Sequence, residues 1–277
     1  MSYQSHPHCE TPPDDAVIWR YTDFLKFSAM LANKGLWCSR ADLLGDWREG
    51  RFTAEEERQL STPELRNAFG NNRRLTFVNC WHESTIESMA MWDLYGRGVG
   101  SVALRSTVGN LKTALSSDDR EFYLSRTKYL DWERGSSFPN NLFGMFVRKA
   151  DAYKHEQEVR LLTWRPELQW ETSATPSGGL VLNRVSDWLC ERLIESNYQA
   201  DENTLKHECL KAYARSLEEA QLRRVPSGLV LAADLRALFT EVVVGPKEEQ
   251  WIFDLVAKTL QLHGLPHPIW FSDLRAS

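Results

Sequence analysis

The chain is 277 residues long, 42% hydrophobic and 26% charged, the make-up of a folded soluble protein and not of a disordered chain, a collagen-like fibre or a disulfide miniprotein. Its formal net charge is −5, so no global basic field draws it to nucleic acid or to an anionic membrane. Eleven tryptophans point to a sizeable core or to a stacking site.

Residues 1 to 15 carry prolines, histidines and acids, without the basic start and apolar run of a secretory signal. The longest apolar runs, such as Leu229 to Ala233, are far shorter than the roughly 18 residues a membrane span needs. The five cysteines are scattered and form no C-x-x-C pair. They read as free thiols in a reducing cytoplasm, with neither a disulfide framework nor a structural zinc site.

After a loose tail over 1–15, Ala16 to Tyr21 reads as a strand, and Thr22 or Asp23 caps a helix built on Phe24, Phe27 and Leu31 and ended by Gly35. Leu36 to Ser39 is a second short strand. Residues 41 to 70 are charged and read as exposed helix and loop. Leu75 to Trp81 is a strand. Ser84 and Glu87 have the spacing of a capping box, which predicts a helix from there to Tyr95, stopped by Gly96. Gly98 to Arg105 is a further strand, Phe122 to Trp132 holds another, residues 140 to 152 look helical, and Glu158 to Trp164 alternates as a strand.

Residues 184 to 224 carry two amphipathic stripes and read as an inserted helical pair. The end is a strand–helix–strand unit: Glu241 to Val244, a helix to about Leu262, and Pro268 to Phe271. Strands and helices without regular alternation predict an α+β fold. We expect a single domain over 16–277, with a central mixed or antiparallel sheet and the helical insertion.

Three stretches could carry chemistry. If the late strand reaches back to Glu156, then Glu156, Glu158 and Arg160 share one face. Such a face points to solvent or lines a cleft, because unpaired charges are costly to bury. In the functional reading, Glu158 holds a ribose hydroxyl or stabilises a cationic transition state, and Glu156 orients an acceptor. The helix from Ser84 places Ser88, Met91, Trp92 and Tyr95 on one stripe, either core or a platform for a flat ring. Arg20, between Trp19 and Tyr21, could hold a phosphate, with Ser39 beside it if the first two strands pair. The turn Leu44-Gly45-Asp46-Trp47-Arg48-Glu49-Gly50 has two acids but reads as a loop, and His82 follows a strand and could be a base, although a lone histidine is more often structural. A P-loop, a G-x-G-x-x-G, an H-E-x-x-H and a G-x-S-x-G are all absent.

These stretches together resemble the bacterial domain-of-unknown-function family 2971. The resemblance rests on Trp19-Arg20-Tyr21, Leu36-Trp37-Cys38-Ser39, Asn79-Cys80-Trp81, Met91-Trp92-Asp93-Leu94-Tyr95, Lys149, the segment Tyr153 to Arg160, and Val243-Val244-Gly245-Pro246. It spans about 17–273, and 184–224 is its least typical part. The family's Asn-Asp-Pro-x-Glu turn is matched only by Gly45-Asp46-Trp47-Arg48-Glu49, which lacks the Asn and the Pro.

The motif order is similar to that of ADP-ribosyltransferases. That resemblance implies an ADP-ribosyltransferase-like sheet, NAD as co-substrate, and a protein or nucleic-acid acceptor. It implies NAD contacts from Arg20, Tyr21 and Ser39, a stacking ring at Trp92 or Tyr95, and Glu158 as the catalytic carboxylate with Glu156 beside it. No metal is implied. Such a bacterial enzyme would serve as a toxin, an effector or a phage-defence enzyme. Two other readings compete: a non-catalytic nucleotide-sensing or protein-interaction module, and a metal-dependent nuclease using Asp131, Glu156 and Glu158.

Overall fold

Val17–Asp23 form the first strand, β1, and its last residue caps helix α1 (Phe24–Asn33). The Asp23 carboxylate accepts from the Lys26 amide at 2.8 Å, satisfying a backbone donor that the helix leaves unpaired. The computed structural model describes residues 3–59, 72–98, 100–135, 144–165 and 225–275, so the expected insertion at 184–224 lies outside the described residues. The chain continues through β2 (Gly35–Arg40), α2 (Ala54–Gln59), β3 (Thr76–Glu83), α3 (Met89–Tyr95), β4 (Ser101–Thr107) and α4 (Val108–Ala114). Next come β5 (Tyr123–Arg126), β6 (Lys128–Leu130), β7 (Arg148–Ala150) and β8 (Glu158–Trp164). Last are β9 (Gly228–Ala232), α5 (Leu235–Leu238), β10 (Glu241–Val244), α6 (Gln250–Leu262) and β11 (Ile269–Phe271).

The fold is α+β. Among the described residues nine strands form one sheet in the order β11-β10-β4-β1-β3-β2-β9, with β8 on β3 and β5 on β8. Its ladders are antiparallel except for β10 and β11, which run parallel around α6. A separate parallel ladder joins β6 and β7.

The sheet forks at β3. One edge of this strand pairs with β8 from Thr76 to His82. The other edge is divided: β2 meets Phe77 and Val78, and β1 meets His82 and Glu83. Among the described residues Asn79, Cys80 and Trp81 have no strand partner on that side, because β1 leaves to pair along its whole length with β4 and β2 leaves to pair with β9. A cleft opens at this fork.

Ile18, Phe27, Leu31, Leu104, Leu111, Ile252, Val256 and Leu260 belong to one core between the sheet and helices α1, α4 and α6. Each such side chain contributes about 1.5–3 kcal/mol by leaving water. Phe27 is 1% exposed, and its truncation to alanine would cost about 3–5 kcal/mol.

Several local expectations are corrected. Helix α1 ends at Lys34, which takes the left-handed conformation at φ 47°. Gly35 is the first residue of β2, where a Cβ would overlap the Leu231 carbonyl of β9. The capping box at Ser84 does not form. Helix α3 starts after Ser88, whose hydroxyl accepts from the Met91 amide at 3.4 Å. The Ser84 amide donates instead to Val17 at 3.1 Å, which keeps it tied to the sheet. Glu87 is engaged by Trp92 Nε1 at 2.9 Å and the Asp273 amide at 3.0 Å. Residues 144–146 and 151–156 form two 3₁₀ turns around β7, in place of the helix expected over 140–152.

Candidate functional site

A cleft of about 280 Å³ occupies the fork, and Arg20, Tyr21, Ser39, Tyr95, Glu156 and Glu158 all line it. It therefore brings together six of the seven residues that the sequence picked out. Ser39 does not reach it by pairing with β1, as had been expected. β3 lies between the two strands, and the cleft is the gap this leaves. Trp92 does not line the cleft. It is 4% exposed and packs in a small core with Trp19, Tyr21 and Met91. Its ring meets Tyr21 edge-on at 4.9 Å, so it braces a cleft residue from behind.

Lys26, paired with Asp23 at 2.8 Å, lines the cleft, and so does Arg20. Arg20 Nη1 donates to the Cys80 carbonyl at 2.7 Å, an oxygen left free because no strand covers β3 there. Among the described residues no carboxylate pairs with Arg20, and its other N–H donors are unused. Burial pulls its pKa down, opposed by Cys80, Cys38 and Tyr95, but a guanidinium remains charged in proteins. It is a ready anion site.

Tyr21 accepts from the Ser88 amide at 2.9 Å, and burial pushes its hydroxyl pKa up to about 12. Burial raises the Tyr95 hydroxyl further, with the Glu156 charge adding to it. Tyr95 keeps an exposed ring.

The acidic end is a buried network. Glu156 lies in the second 3₁₀ turn, not on the strand. Gln157, at φ 40° and ψ 53°, reverses the chain before β8 begins at Glu158. Thus strand alternation explains Glu158 and Arg160, whereas a left-handed residue brings Glu156 to the same cleft. Lys149 Nζ lies 2.7 Å from Glu156 Oε2, 3.4 Å from Glu49 Oε1 and 3.8 Å from Glu158 Oε2. Arg160 Nη2 lies 2.6 Å from Glu49 Oε2 and 2.8 Å from Glu158 Oε2. Three carboxylates thus share two cations, and all five side chains are less than a tenth exposed.

Burial alone would raise the Glu158 carboxyl, but the charges of Arg160 and Lys149 outweigh it and hold the group below the usual carboxylate range. Burial, then the Glu158 charge, pushes the Cys80 thiol well up. Cys80 is therefore a protonated donor to Glu158, not a nucleophile. His82 also lines the cleft. Its Nδ1 donates to the Glu156 carbonyl at 2.6 Å, and burial lowers its pKa, so neutral His82 presents Nε2 as an acceptor.

Sequence reasoning gave no site role to Glu49, Trp37 and Asn79, although all three lie in stretches compared with the family's motifs. Glu49 belongs to the stretch read as exposed, yet it is 4% exposed. In the same stretch Glu56 is sealed in a bidentate pair with Arg148, with both contacts at 2.6 Å. The signal for Glu49 was its acidic turn, where Glu49 N donates to the Asp46 carbonyl at 3.0 Å. Trp37 is 47% exposed on the cleft wall, with Nε1 bonded to Ser39 Oγ at 3.1 Å and its ring against Gly228. Asn79 donates to the Trp37 carbonyl at 2.8 Å, while its Oδ1 is buried and has no hydrogen-bond partner among the described residues. Asp131 does not line the cleft. It accepts from Glu133 N at 2.9 Å in a local turn.

No protein-family model and no curated protein matches the chain, so the likeness to the domain-of-unknown-function family 2971 rests on the motifs alone. Among solved structures the chain is similar to Thermus sp. 2.9 DarT in complex with NAD+ (14% identity, TM-score 0.36, covering 96% of this chain and 100% of that one). It is also similar to that protein in complex with ADP-ribosylated ssDNA (15% identity, TM-score 0.34, covering 96% and 98%). With carba-NAD+ the values are 14% identity and TM-score 0.35, covering 95% and 98%. No helix among the described residues is long and apolar enough to cross a membrane.

Proposed function

We propose that the chain is an ADP-ribosyltransferase that uses NAD as co-substrate and modifies a macromolecule. The observation that carries this reading is the pairing of opposite charges across one cleft. Arg20, with unused donors, stands on β1, and the ionised Glu158 stands on β8; Cys80 touches both, through its carbonyl and its thiol. NAD has the matching layout, a diphosphate at its centre and a glycosidic bond that breaks through a cationic ribose.

In this reading Arg20 holds a phosphate or ribose oxygen, with Tyr21 and Ser39 shaping the wall beside it. The orphaned Asn79 Oδ1 suits the carboxamide N–H of nicotinamide, since a buried acceptor without a donor is costly. Tyr95 and Trp37 offer exposed ring faces for stacking, and Trp92 supports Tyr21. As the bond from C1′ to nicotinamide breaks, its electron pair leaves with nicotinamide and positive charge grows on the ribose. The Glu158 carboxylate, fixed by Arg160 and Lys149, faces that charge without having to reorganise. Glu156 orients the acceptor and takes its proton as the new bond to C1′ forms.

Nicotinamide release and heat stabilisation by NAD test the reading, with Glu158→Gln as control. Release by the parent protein and its loss in the variant are expected. Stabilisation without release would move the chain to the nucleotide-sensing reading, and no binding at millimolar NAD would overturn both. Expression in a bacterial host is expected to be toxic, as for a toxin, effector or phage-defence enzyme, and Glu158→Ala to relieve it. Such an enzyme works in the cytoplasm, where NAD is.

A further inference from the structure

The buried cluster at the acidic end of the cleft has one carboxylate more than its cations require. Glu158 accepts from Arg160 Nη2 at 2.8 Å and Glu156 from Lys149 Nζ at 2.7 Å, so two carboxylates already match two cations. Glu49 is the third. It does not line the cleft, and it arrives from a turn far earlier in the chain. Glu49 N donates to the Asp46 carbonyl at 3.0 Å, and the Asp46 carboxylate accepts from Arg48 N at 3.0 Å. Gly50 closes the turn at φ 66°, where a Cβ would lie 2.7 Å from the Phe146 ring. The Phe146 carbonyl accepts from Arg160 Nη1 at 2.9 Å. The turn that delivers Glu49 is therefore packed on the residue that fixes Arg160.

Glu49 gives Arg160 a charge and not a hydrogen bond. Its Oε2 lies 2.6 Å from Arg160 Nη2, yet among the described residues that oxygen accepts no hydrogen bond. Its Oε1 lies 3.4 Å from Lys149 Nζ. A carboxylate kept only to anchor a turn would gain from an aligned donor, and a buried surplus charge costs stability. The surplus has a use at Glu158, which lines the cleft. Two carboxylates against two cations cancel, and a cation in the cleft would meet little net field. With Glu49 the cluster keeps one net negative charge.

Resting on the proposed transferase activity, we infer that Glu49 is a positioning residue of the reaction. It acts through Arg160 and Lys149, leaving the cluster a negative charge that the cationic ribose balances only as the bond to nicotinamide breaks. The interaction grows in the transition state and is absent from bound NAD, so it raises kcat and leaves KM unchanged.

The test uses the full chain with two variants. Glu49→Gln keeps the shape and removes the charge; Glu49→Asp keeps the charge and shortens the side chain. Four quantities are read: kcat and KM for NAD from nicotinamide release, the melting temperature, and the rate at which iodoacetamide alkylates Cys80 at about pH 9, followed by peptide mass spectrometry. Cys80 lines the cleft, and the charges of Glu158 and Glu49 add to burial, against Arg160, in keeping its thiol protonated. Its thiolate fraction therefore reports the field of the cluster. In Glu49→Gln we expect kcat to fall about tenfold, the scale of one unit charge across a partly screened interior. KM should stay within twofold, the melting temperature should be no lower than the parent's, and Cys80 should be alkylated faster. Glu49→Asp should stay close to the parent in all four. Lost turnover at undiminished stability separates a field effect from a damaged turn.

Retained kcat in Glu49→Gln would overturn the inference, because the charge would then be idle. An equal loss in Glu49→Asp would overturn it too, because the residue would then be a spacer, and so would a raised KM with kcat unchanged. If the parent releases no nicotinamide, but Cys80 alkylation rises in Glu49→Gln and not in Glu49→Asp, the transferase reading fails while the hold of Glu49 on the charge of the cleft stands. If neither is seen, both fail.

Discussion

Lys149 and Glu156 meet at 2.7 Å with each side chain only 6% exposed, and that contact ties the acidic end of the cleft to β7. Around it three carboxylates share two cations. The cluster therefore has one formal negative charge too many, which makes its members unequal under mutation.

Glu158→Gln leaves two carboxylates against two cations. We expect it to keep the fold, with a melting temperature within a few degrees of the parent, while nicotinamide release falls by about 10²–10³, the usual scale for removing one preorganised electrostatic contact. Calorimetry beside a release assay separates the two effects.

Lys149→Met leaves three carboxylates against Arg160 alone. Breaking a buried pair from one side costs about 3–5 kcal/mol, so this variant should be strongly destabilised in urea. A stability equal to that of Glu158→Gln would show that the network's charge balance does not matter.

Trp37 and Trp92 should behave in opposite ways. Trp92 is 4% exposed and Trp37 47%. Trp92→Ala is expected to cost about 3–5 kcal/mol of stability. Trp37→Ala should leave the melting temperature nearly unchanged and weaken NAD binding about tenfold, measured by titration calorimetry.

Arg20→Lys tests whether charge alone suffices. A lysine keeps the charge but lacks the planar fork that can donate to Cys80 and to a phosphate together. NAD affinity should drop about tenfold in Arg20→Lys, nearly as far as in Arg20→Ala. Full retention of affinity in Arg20→Lys would mean that the second arm of the guanidinium is not used.

The pH dependence follows from two groups. Burial lowers the His82 pKa from 6.5, so its contribution to stability is complete above 6.5 and is lost as pH falls through the lowered value. Glu158 is held below 4.5 by Arg160 and Lys149 against burial, so its contribution is complete above 4.5 and is lost only in stronger acid. Stability should therefore fall in two stages, and His82→Gln should flatten the first, which begins as pH falls through 6.5. Denaturant melts across pH 4 to 8 would show this.

Much of the scaffold could be read from local pattern. The hydrophobic spacing of Phe24, Phe27 and Leu31 marked α1, and the apolar runs at 75–81, 158–164 and 241–244 marked β3, β8 and β10. Glu158 and Arg160 were legible as one strand face because alternation is a property of the chain itself. Strand β9 went unread, since Gly228–Ala232 is a short apolar run whose partner β2 lies almost two hundred residues earlier in the chain.

The sequence by itself determined the α+β class, the acidic pair and the arginine that faces it, because periodicity and residue chemistry are local. Only the tertiary structure decided which of them meet. It divided one edge of β3 between two diverging strands and so made a gap for Arg20 to fill. It also used the left-handed turn at Gln157 to bring Glu156 back to the cleft. It turned Trp92 into packing and Trp37 into surface, and it buried Glu49 and Glu56 in a stretch that reads as solvated. A charge run looks the same in sequence whether water or a distant cation neutralises it. For Glu56 the cation is Arg148; for Glu49 it is Lys149 and Arg160. All three lie about a hundred residues downstream, and only the folded chain brings them within reach.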